Sequence, residues 1–264
     1  MCLNNNTESI AMANDICNRY GFDVISTGTT IAFAIECYEN GLITKADTDG
    51  IELTWGNHRA IVAMTEKMAK REGFGAVLAD GVKLAAGRLG RGTKQYAVHA
   101  GGQELGMADP KLRIPGMEDK GSAVRYQMDA TPGRHTQGFG PSGFEGHFKN
   151  AAGFCVQSGY SVVANSSKYL VGFMSSITGW NRSVDELLKA GERVANMRHV
   201  FNLREGINPL EREVHPRIIG DPPLEAGPHA HVTVDLKAEI YWNLGALDWG
   251  RVTTKPSKKK LLEL

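Results

Sequence analysis

Cysteine is scarce in this chain, and its few copies are far apart. The 264 residues include four of them, Cys2, Cys17, Cys37 and Cys155. No two of them form a Cys-x-x-Cys pair. This spacing excludes a self-contained zinc site and the disulfide framework of a small secreted domain. We therefore expect a protein of the reducing cytoplasm.

The chain also lacks a charge imbalance and a long apolar run. Its net charge of +1 excludes a general attraction to nucleic acid or to an acidic membrane surface. No apolar run approaches the roughly 20 residues of a membrane span. The first residues, MCLNNNTESI, lack the basic and apolar regions of a signal peptide. Neither nucleic acid nor a membrane is therefore an expected partner.

Helical patterns dominate the rest of the sequence. Apolar residues recur at helical spacing in 7–20, 31–38, 58–72 and 74–89, and Ser183 with Glu186 forms a capping box before a long helix. Strand patterns are confined to 94–100 and 231–236, and the segment 101–146 is rich in glycine and proline. The sequence predicts a mainly α chain with few short strands. Its two helical lobes are expected at 1–104 and 105–264.

One short pattern, Asn-x-x-Gly-Phe, occurs twice and is followed once by aspartate and once by cysteine. A single copy is most simply a helix end with a buried phenylalanine, because glycine is common just after a helix. Two copies instead indicate twin loops that present backbone and a side chain to two similar ligands, or to two halves of one ligand. The copies consist of Asn18, Gly21, Phe22 and Asp23, and of Asn150, Gly153, Phe154 and Cys155.

A histidine in the glycine-rich segment is a candidate for proton transfer. His135 follows Arg134 in TPGRHTQGFGPSGFEGHF. A lone loop histidine is ordinarily a surface residue, but an imidazole that titrates near neutral pH also suits acid–base chemistry. His147, between Phe144 and Phe148, is expected to be structural. Nothing in the residues alone decides between the two interpretations of His135.

These segments together resemble the aldehyde ferredoxin oxidoreductases, which are tungsten or molybdenum bis-pyranopterin enzymes. AMANDICNRYGFDVISTGTTIAFAIECYENGLITKADTDGIELTWGN and KMAKREGFGAVLADGVKLAA are similar to the second domain of that family. SSITGWNRSVDELLKAGERVANMRHVFNLREG is similar to its third domain. The resemblance extends over nearly the whole chain and implies a fold of two helical domains.

The resemblance also implies roles for the repeated pattern and for His135. The family carries Asp-x-x-Gly-Leu followed by Asp or Cys twice, with one copy at each pterin. By this similarity the two Asn-x-x-Gly-Phe copies hold two pterins, Cys155 is one ligand of a 4Fe-4S cluster, and His135 lies beside the metal. Both copies here begin with asparagine, whose amide offers one acceptor oxygen and one donor group in place of two acceptor oxygens.

Two features of the family are absent from this sequence. The Cys-x-x-Cys-x-x-x-Cys run that supplies the other three cluster ligands does not occur, and neither does the β-rich first domain. The chain is therefore expected to be the last two domains only, as a fragment, a split subunit or the product of a late start codon. The missing pterin-binding domain is an expected partner in cis or in trans.

The expected reaction is the oxidation of an aldehyde to a carboxylic acid. Electrons leave singly through the cluster to ferredoxin or to an iron–sulfur subunit. The segment DATPGRHTQ differs from the usual aldehyde oxidoreductase pattern and is similar to the tungsten subunit of the ATP-independent benzoyl-CoA reductases. An active-site subunit acting on an aromatic thioester is therefore one alternative. A non-catalytic helical protein without the cofactor is the alternative from another class.

Overall fold

The structure is a computed structural model that describes residues 1–106, 108–111, 122–136, 138–155 and 167–264. These residues divide into two compact units. Unit 1 consists of Met1–Asp109 with Glu213–Val232, and unit 2 consists of Pro110–Arg212 with Thr233–Leu264. The sequence predicted one boundary at 104/105, which assigns 213–232 to the second lobe, whereas the structure groups these residues with unit 1. The match of either lobe to one family domain stays a prediction.

In its described residues, unit 1 contains five α-helices, two short 3-10 helices and one short hairpin. Asparagine and aspartate side chains at the starts of the first three helices accept hydrogen bonds from backbone N–H groups, which satisfies donors that have no partner inside the helix. The hairpin pairs β1 and β2 antiparallel. The elements are α1 (Thr7–Tyr20), α2 (Val24–Glu39), α3 (His58–Lys70), α4 (Phe74–Leu78), α5 (Val82–Leu89), β1 (His99–Ala100) and β2 (Gln103–Glu104).

Helix α2 forms the centre of the core of unit 1. Its residues Ile31 and Ile35 are fully buried, together with Met64 of α3 and Leu78 of α4. The segment Glu213–Val232 also belongs to unit 1, and an antiparallel β-bridge pairs its Val214 with Ala100. This apolar core contains α2, the helix that begins directly after the first Asn-x-x-Gly-Phe copy.

Unit 2 contains the longest helix and the second copy. The capping box at Ser183 is present: Ser183 Oγ accepts from the Glu186 N–H at 3.2 Å, and Glu186 Oε2 accepts from the Ser183 N–H at 2.8 Å. The helices are α6 (Ser122–Met128), α7 (Phe144–Ala151), α8 (Ser167–Thr178), α9 (Val184–Arg204), α10 (Leu236–Ala246) and α11 (Lys258–Glu263).

Helices α7 and α9 approach each other unusually closely at a glycine. A Cβ built on Gly191 of α9 would lie 1.9 Å from the carbonyl oxygen of Phe144 at the start of α7. Only glycine fits at such a distance, because the backbone of α7 occupies the space of a side chain. The contact fixes where α7, and hence the second copy, lies on the long helix.

The architecture confirms the mainly α prediction, and it differs from the expected elements in four details. The strand expected over 94–100 is confined to His99–Ala100, because Thr93–Tyr96 forms a 3-10 helix. The predicted helix over 74–89 is two helices, α4 and α5, separated around Gly81. No strand forms over 231–236, since α10 begins at Leu236. The glycine-rich segment contains α6 and α7, so the loop around His135 is shorter than predicted. No helix in the described ranges is long and apolar enough to cross a membrane.

Candidate functional site

The first Asn-x-x-Gly-Phe copy is the end of helix α1. Gly21 adopts a left-handed conformation with φ 74° and ψ 37°, and the Phe22 N–H donates to the carbonyl of Cys17 at 3.1 Å. This six-to-one hydrogen bond is that of a Schellman motif. A Cβ at Gly21 would meet no other atom of the described residues within 4 Å. Glycine is therefore favoured here by its left-handed backbone conformation and not by a lack of space.

Asp23 has a structural contact at the start of α2. Its Oδ2 accepts from the Ser26 N–H at 2.6 Å, which caps the helix. The preceding Asn18 is exposed, and Phe22 is half-buried. In the first copy Asn18 is therefore exposed on the surface, while Asp23 stabilises the start of α2.

The second copy is the end of helix α7 and has a similar geometry, with the same left-handed glycine and the same six-to-one hydrogen bond. Gly153 has φ 80°, and the Phe154 N–H donates to the Lys149 carbonyl at 2.9 Å. The Gly153 N–H donates to the Asn150 carbonyl at 3.2 Å, which completes the Schellman pair. Asn150 and Cys155 are exposed, and Phe154 is half-buried. Each copy thus places asparagine three residues before a left-handed glycine and phenylalanine directly after it.

The two copies lie in different units, the first in unit 1 and the second in unit 2. Their local equivalence explains why the pattern repeats, because each helix end needs the same glycine and presents the same amide. That both ends face one cavity stays a prediction.

One cysteine differs from the other three in its surroundings. Cys155 is exposed, whereas Cys2, Cys17 and Cys37 are buried in unit 1. Burial raises the pKa of the Cys2 thiol to about 11 and that of Cys37 to about 12. Those thiols are poor ligands because a metal binds the thiolate. In the described part of the chain no group of three or more His, Cys, Asp or Glu side chains is arranged to hold a metal ion.

His135 lies in the loop between α6 and α7 and is half-buried. Its Nδ1 is shielded from solvent, and no hydrogen-bond partner among the described residues reaches it. Buried polar atoms of native proteins nearly always have a partner, so this ring nitrogen is an exception among the described side chains. His147, by contrast, is buried and fully hydrogen-bonded, which agrees with the structural role expected for it.

A buried polar cluster beside this loop was missed by the sequence analysis. Asp129, at the end of α6, forms an ion pair with Arg198 of α9 at 3.1 Å, and Arg198 also contacts His147. The cluster borders a small cavity. The volume that the centre of a water molecule can occupy there is about 10 Å³, which is enough for about one water. The signal in the sequence was weak, because the partners are far apart in the chain and each residue is ordinary for a helix end or a helix surface.

The pKa of His147 is lowered, first by burial and second by the Arg198 charge. Its Nε2 lies 2.7 Å from the Gly138 carbonyl and must donate, so its Nδ1 accepts from Arg198 Nη1 at 3.2 Å. The neutral Nε2–H tautomer is therefore the form that this environment selects.

Comparison with known proteins agrees with the domain pattern. The sequence model of the family described as aldehyde ferredoxin oxidoreductase, domains 2 and 3, matches residues 1–147 and 145–264. A tungsten-containing aldehyde ferredoxin oxidoreductase of Pyrococcus abyssi is 30% identical, and the match covers 98% of this chain and 46% of that protein. Its counterpart in Pyrococcus furiosus is 29% identical with the same coverage. The chain thus spans about half the length of these curated relatives.

A solved structure shares the fold at lower identity. It is the active-site complex BamBC of benzoyl-coenzyme A reductase in complex with 1,5-dienoyl-CoA. The superposition has a TM-score of 0.60 at 17% identity and covers 94% of this chain and 44% of that chain. At this identity the likeness shows the fold alone. The full-length match to the family sets the assignment: the chain belongs to the aldehyde ferredoxin oxidoreductase family and carries its domains 2 and 3.

Proposed function

We propose that this chain is the C-terminal part of a tungsten-pterin, iron–sulfur oxidoreductase that oxidises an aldehyde to a carboxylic acid. The observation that carries the proposal is the pair of equivalent helix ends at Gly21 and Gly153, in a chain that matches the family over its whole length. The relatives are about twice as long, so the remaining part of the enzyme is a first domain in the same protein or in a partner subunit.

Each Asn-x-x-Gly-Phe helix end offers groups that suit one pterin of a bis-pterin cofactor. Asn18, Phe22 and Asp23 would hold one pterin. Their counterparts in the second copy, Asn150 and Phe154, would hold the other. Each exposed amide offers one acceptor and one donor group, which match a neighbouring N–H and C=O on the edge of a pterin ring. The half-buried phenylalanine that follows four residues after each asparagine would supply an apolar surface for a flat ring.

The fit to a 4Fe-4S cluster is partial. Cys155 would provide one thiolate, and a cluster of this type needs about four. The other cysteines are buried in unit 1, so the remaining ligands must come from the first domain. When bound, the metal–pterin group supplies two-electron redox chemistry, and the cluster carries electrons singly to ferredoxin or to an iron–sulfur subunit.

His135 would move the proton. Oxidation of an aldehyde with water yields a carboxylic acid, two protons and two electrons. The shielded Nδ1 of His135 can accept one of those protons, since it has no partner among the described residues. The same residue can donate a proton in a reductive reaction. An aromatic thioester is the second candidate substrate, because the DATPGRHTQ segment differs from the usual aldehyde oxidoreductase pattern.

The test is co-expression of the chain with a first-domain partner that contains Cys-x-x-Cys-x-x-x-Cys. We expect stoichiometric tungsten and iron in the complex, aldehyde-dependent reduction of a viologen dye, and neither metal in the 264-residue chain alone. The double variant Asn18→Leu with Asn150→Leu should lose most of the tungsten. Asn14→Leu is the matched control, since Asn14 is also exposed on α1 but lies one turn before the helix end.

Three outcomes would contradict the proposal. Full tungsten content in the double variant would remove the pterin role of the two helix ends. Unchanged turnover in His135→Gln would remove the proton-transfer role. A complex without metal would favour the non-catalytic helical protein.

A further inference from the structure

Arg198 contacts the first end of the loop that carries His135 directly, and it is linked to the later part of this loop through His147. At the first end, Arg198 Nη2 lies 3.1 Å from Asp129 Oδ1 and donates to Thr131 Oγ1 at 2.9 Å. At the other end, Arg198 Nη1 donates to His147 Nδ1 at 3.2 Å, and His147 Nε2 donates to the Gly138 carbonyl at 2.7 Å. One guanidinium group therefore contacts Asp129 and Thr131 directly and is linked to Gly138 through His147. Residue 137 lies outside the described residues.

The contacts of Arg198 with Asp129 and His147 are partly shielded from water, so they are stronger than fully exposed contacts. The Asp129 side chain is 3% exposed and that of Arg198 is 27% exposed. A planar guanidinium has five N–H donors in a fixed arrangement and can serve three acceptors at once. One helical turn further, Asn202 Nδ2 donates to the Ala130 carbonyl at 2.8 Å. Helix α9 thus holds three successive residues of the loop, Asp129, Ala130 and Thr131.

A role in stability alone explains this arrangement poorly. A buried ion pair adds little net stability, since the desolvation of two charges offsets much of their attraction. A single acceptor would also be enough for such a role. Arg198 instead joins two places that are separated in the chain by the loop itself. Its partners lie on both sides of His135 in the chain: Asp129 and Thr131 before it, and His147 after it.

We propose that Arg198 is a positioning residue that holds the segment 129–138, directly at its start and through His147 at its end, and thereby sets where the imidazole of His135 lies. Asn202 assists at Ala130. This inference rests on the proposed proton-transfer role of His135. Arg198 itself acts through the loop, and its contacts are with Asp129, Thr131 and His147.

Trypsin cleavage after Arg134 measures the position of this loop without the cofactor. Arg134 is half-buried, so we expect slow cleavage in the native 264-residue chain. Arg198→Lys keeps the charge beside Asp129 but cannot reach Thr131 and His147 together. The lost charged hydrogen bonds should raise the rate of cleavage after Arg134 about tenfold or more. Asn202→Ala removes one bond and should give a smaller increase.

Asn196→Ala is the matched control. Asn196 is buried on the same helix and accepts from Trp249 Nε1 at 3.0 Å, away from the loop. Urea unfolding measures the global stability of each variant. Faster cleavage in Arg198→Lys at a stability similar to that of Asn196→Ala supports the proposal. Cleavage that rises equally in both, or only in proportion to lost global stability, overturns it.

The imidazole of His135 provides a second readout. Its nitrogen-15 signals, assigned with His135→Gln, should shift in Arg198→Lys and stay unchanged in Asn196→Ala. Unshifted signals in both variants would also overturn the proposal. Turnover of His135→Gln in the assembled enzyme is measured separately. Full turnover there removes the proposed function of His135, while the cleavage and nitrogen-15 results still report whether Arg198 positions the loop.

Discussion

The imidazole of His199 stacks on the indole of Trp249. The ring centroids are 3.8 Å apart and the planes differ by 14°. His199 Nε2 donates to the Thr254 carbonyl at 2.9 Å. Burial lowers the pKa of His199 to about 4, although the hydrogen bond to Thr254 acts in the opposite direction. The native fold therefore holds this histidine in its neutral form.

The free energy of unfolding should fall as pH drops from about 6.5 to about 4. In the unfolded chain His199 takes up its proton near pH 6.5, whereas in the folded chain it does so only near pH 4. The unfolded state binds more protons in this window, so acid favours unfolding. The full effect is about 3 kcal/mol. Urea unfolding at several pH values measures it.

The variant His199→Phe should show a flatter pH dependence, together with lower stability at every pH because the Thr254 carbonyl loses its donor. Some slope should remain, since the pKa of buried His147 is also lowered. His231→Asn is the control: His231 is exposed and has a positive φ that asparagine tolerates. Equal slopes in the wild type and in His199→Phe would contradict the assignment.

Replacing the glycine at either helix end should destabilise its unit. Gly21→Ala and Gly153→Ala each force alanine into a left-handed conformation, and we expect a loss of about 1 kcal/mol in each case. Gly146→Ala is the control within α7, where open space surrounds the glycine and alanine favours the helix by roughly 0.5–1 kcal/mol. Chemical denaturation should therefore give opposite signs for Gly146 and Gly153. The same sign at both positions would argue against the Schellman geometry.

The close approach at Gly191 leaves no room for a methyl group. Gly191→Ala would place its Cβ 1.9 Å from the Phe144 carbonyl oxygen, so α7 and α9 would have to separate. We expect a loss of about 3 kcal/mol or more, or failure of unit 2 to fold. Gly172→Ala in α8 has open space and is the control. A well-folded Gly191→Ala protein of normal stability would contradict this packing.

One thiol should react readily in the native chain. Cys155 is exposed, whereas burial raises the pKa of Cys2, Cys17 and Cys37. Titration with a disulfide reagent should modify one thiol of the four rapidly and the others only on unfolding. Cys155→Ser should abolish the rapid phase and leave the slow one. A rapid phase that persists in this variant would show that one of the other thiols is accessible.

The sequence predicted those features that depend on neighbouring residues. Ser183 and Glu186 lie three positions apart, so their reciprocal hydrogen bonds follow from the local chain. The same holds for the end of α1 at Gly21. The mainly α character could be predicted because helical periodicity is a local property.

Features that depend on distant residues could not be predicted. The helix expected over 74–89 is interrupted because buried Glu104 accepts from the Val82 N–H at 2.7 Å and its carboxylate occupies the space beside Gly81. Arg198 was missed for the same reason, since its partner Asp129 is 69 residues away. Neither contact leaves a local pattern in the chain.

The contact between Gly191 and Phe144 has a consequence for binding at the second helix end. Because α7 lies directly on the backbone of α9, it can neither roll nor slide without breaking the contact. Helix α7, which ends just before Gly153, therefore keeps one position on α9, and a ligand that used this helix end would not have to place the helix first.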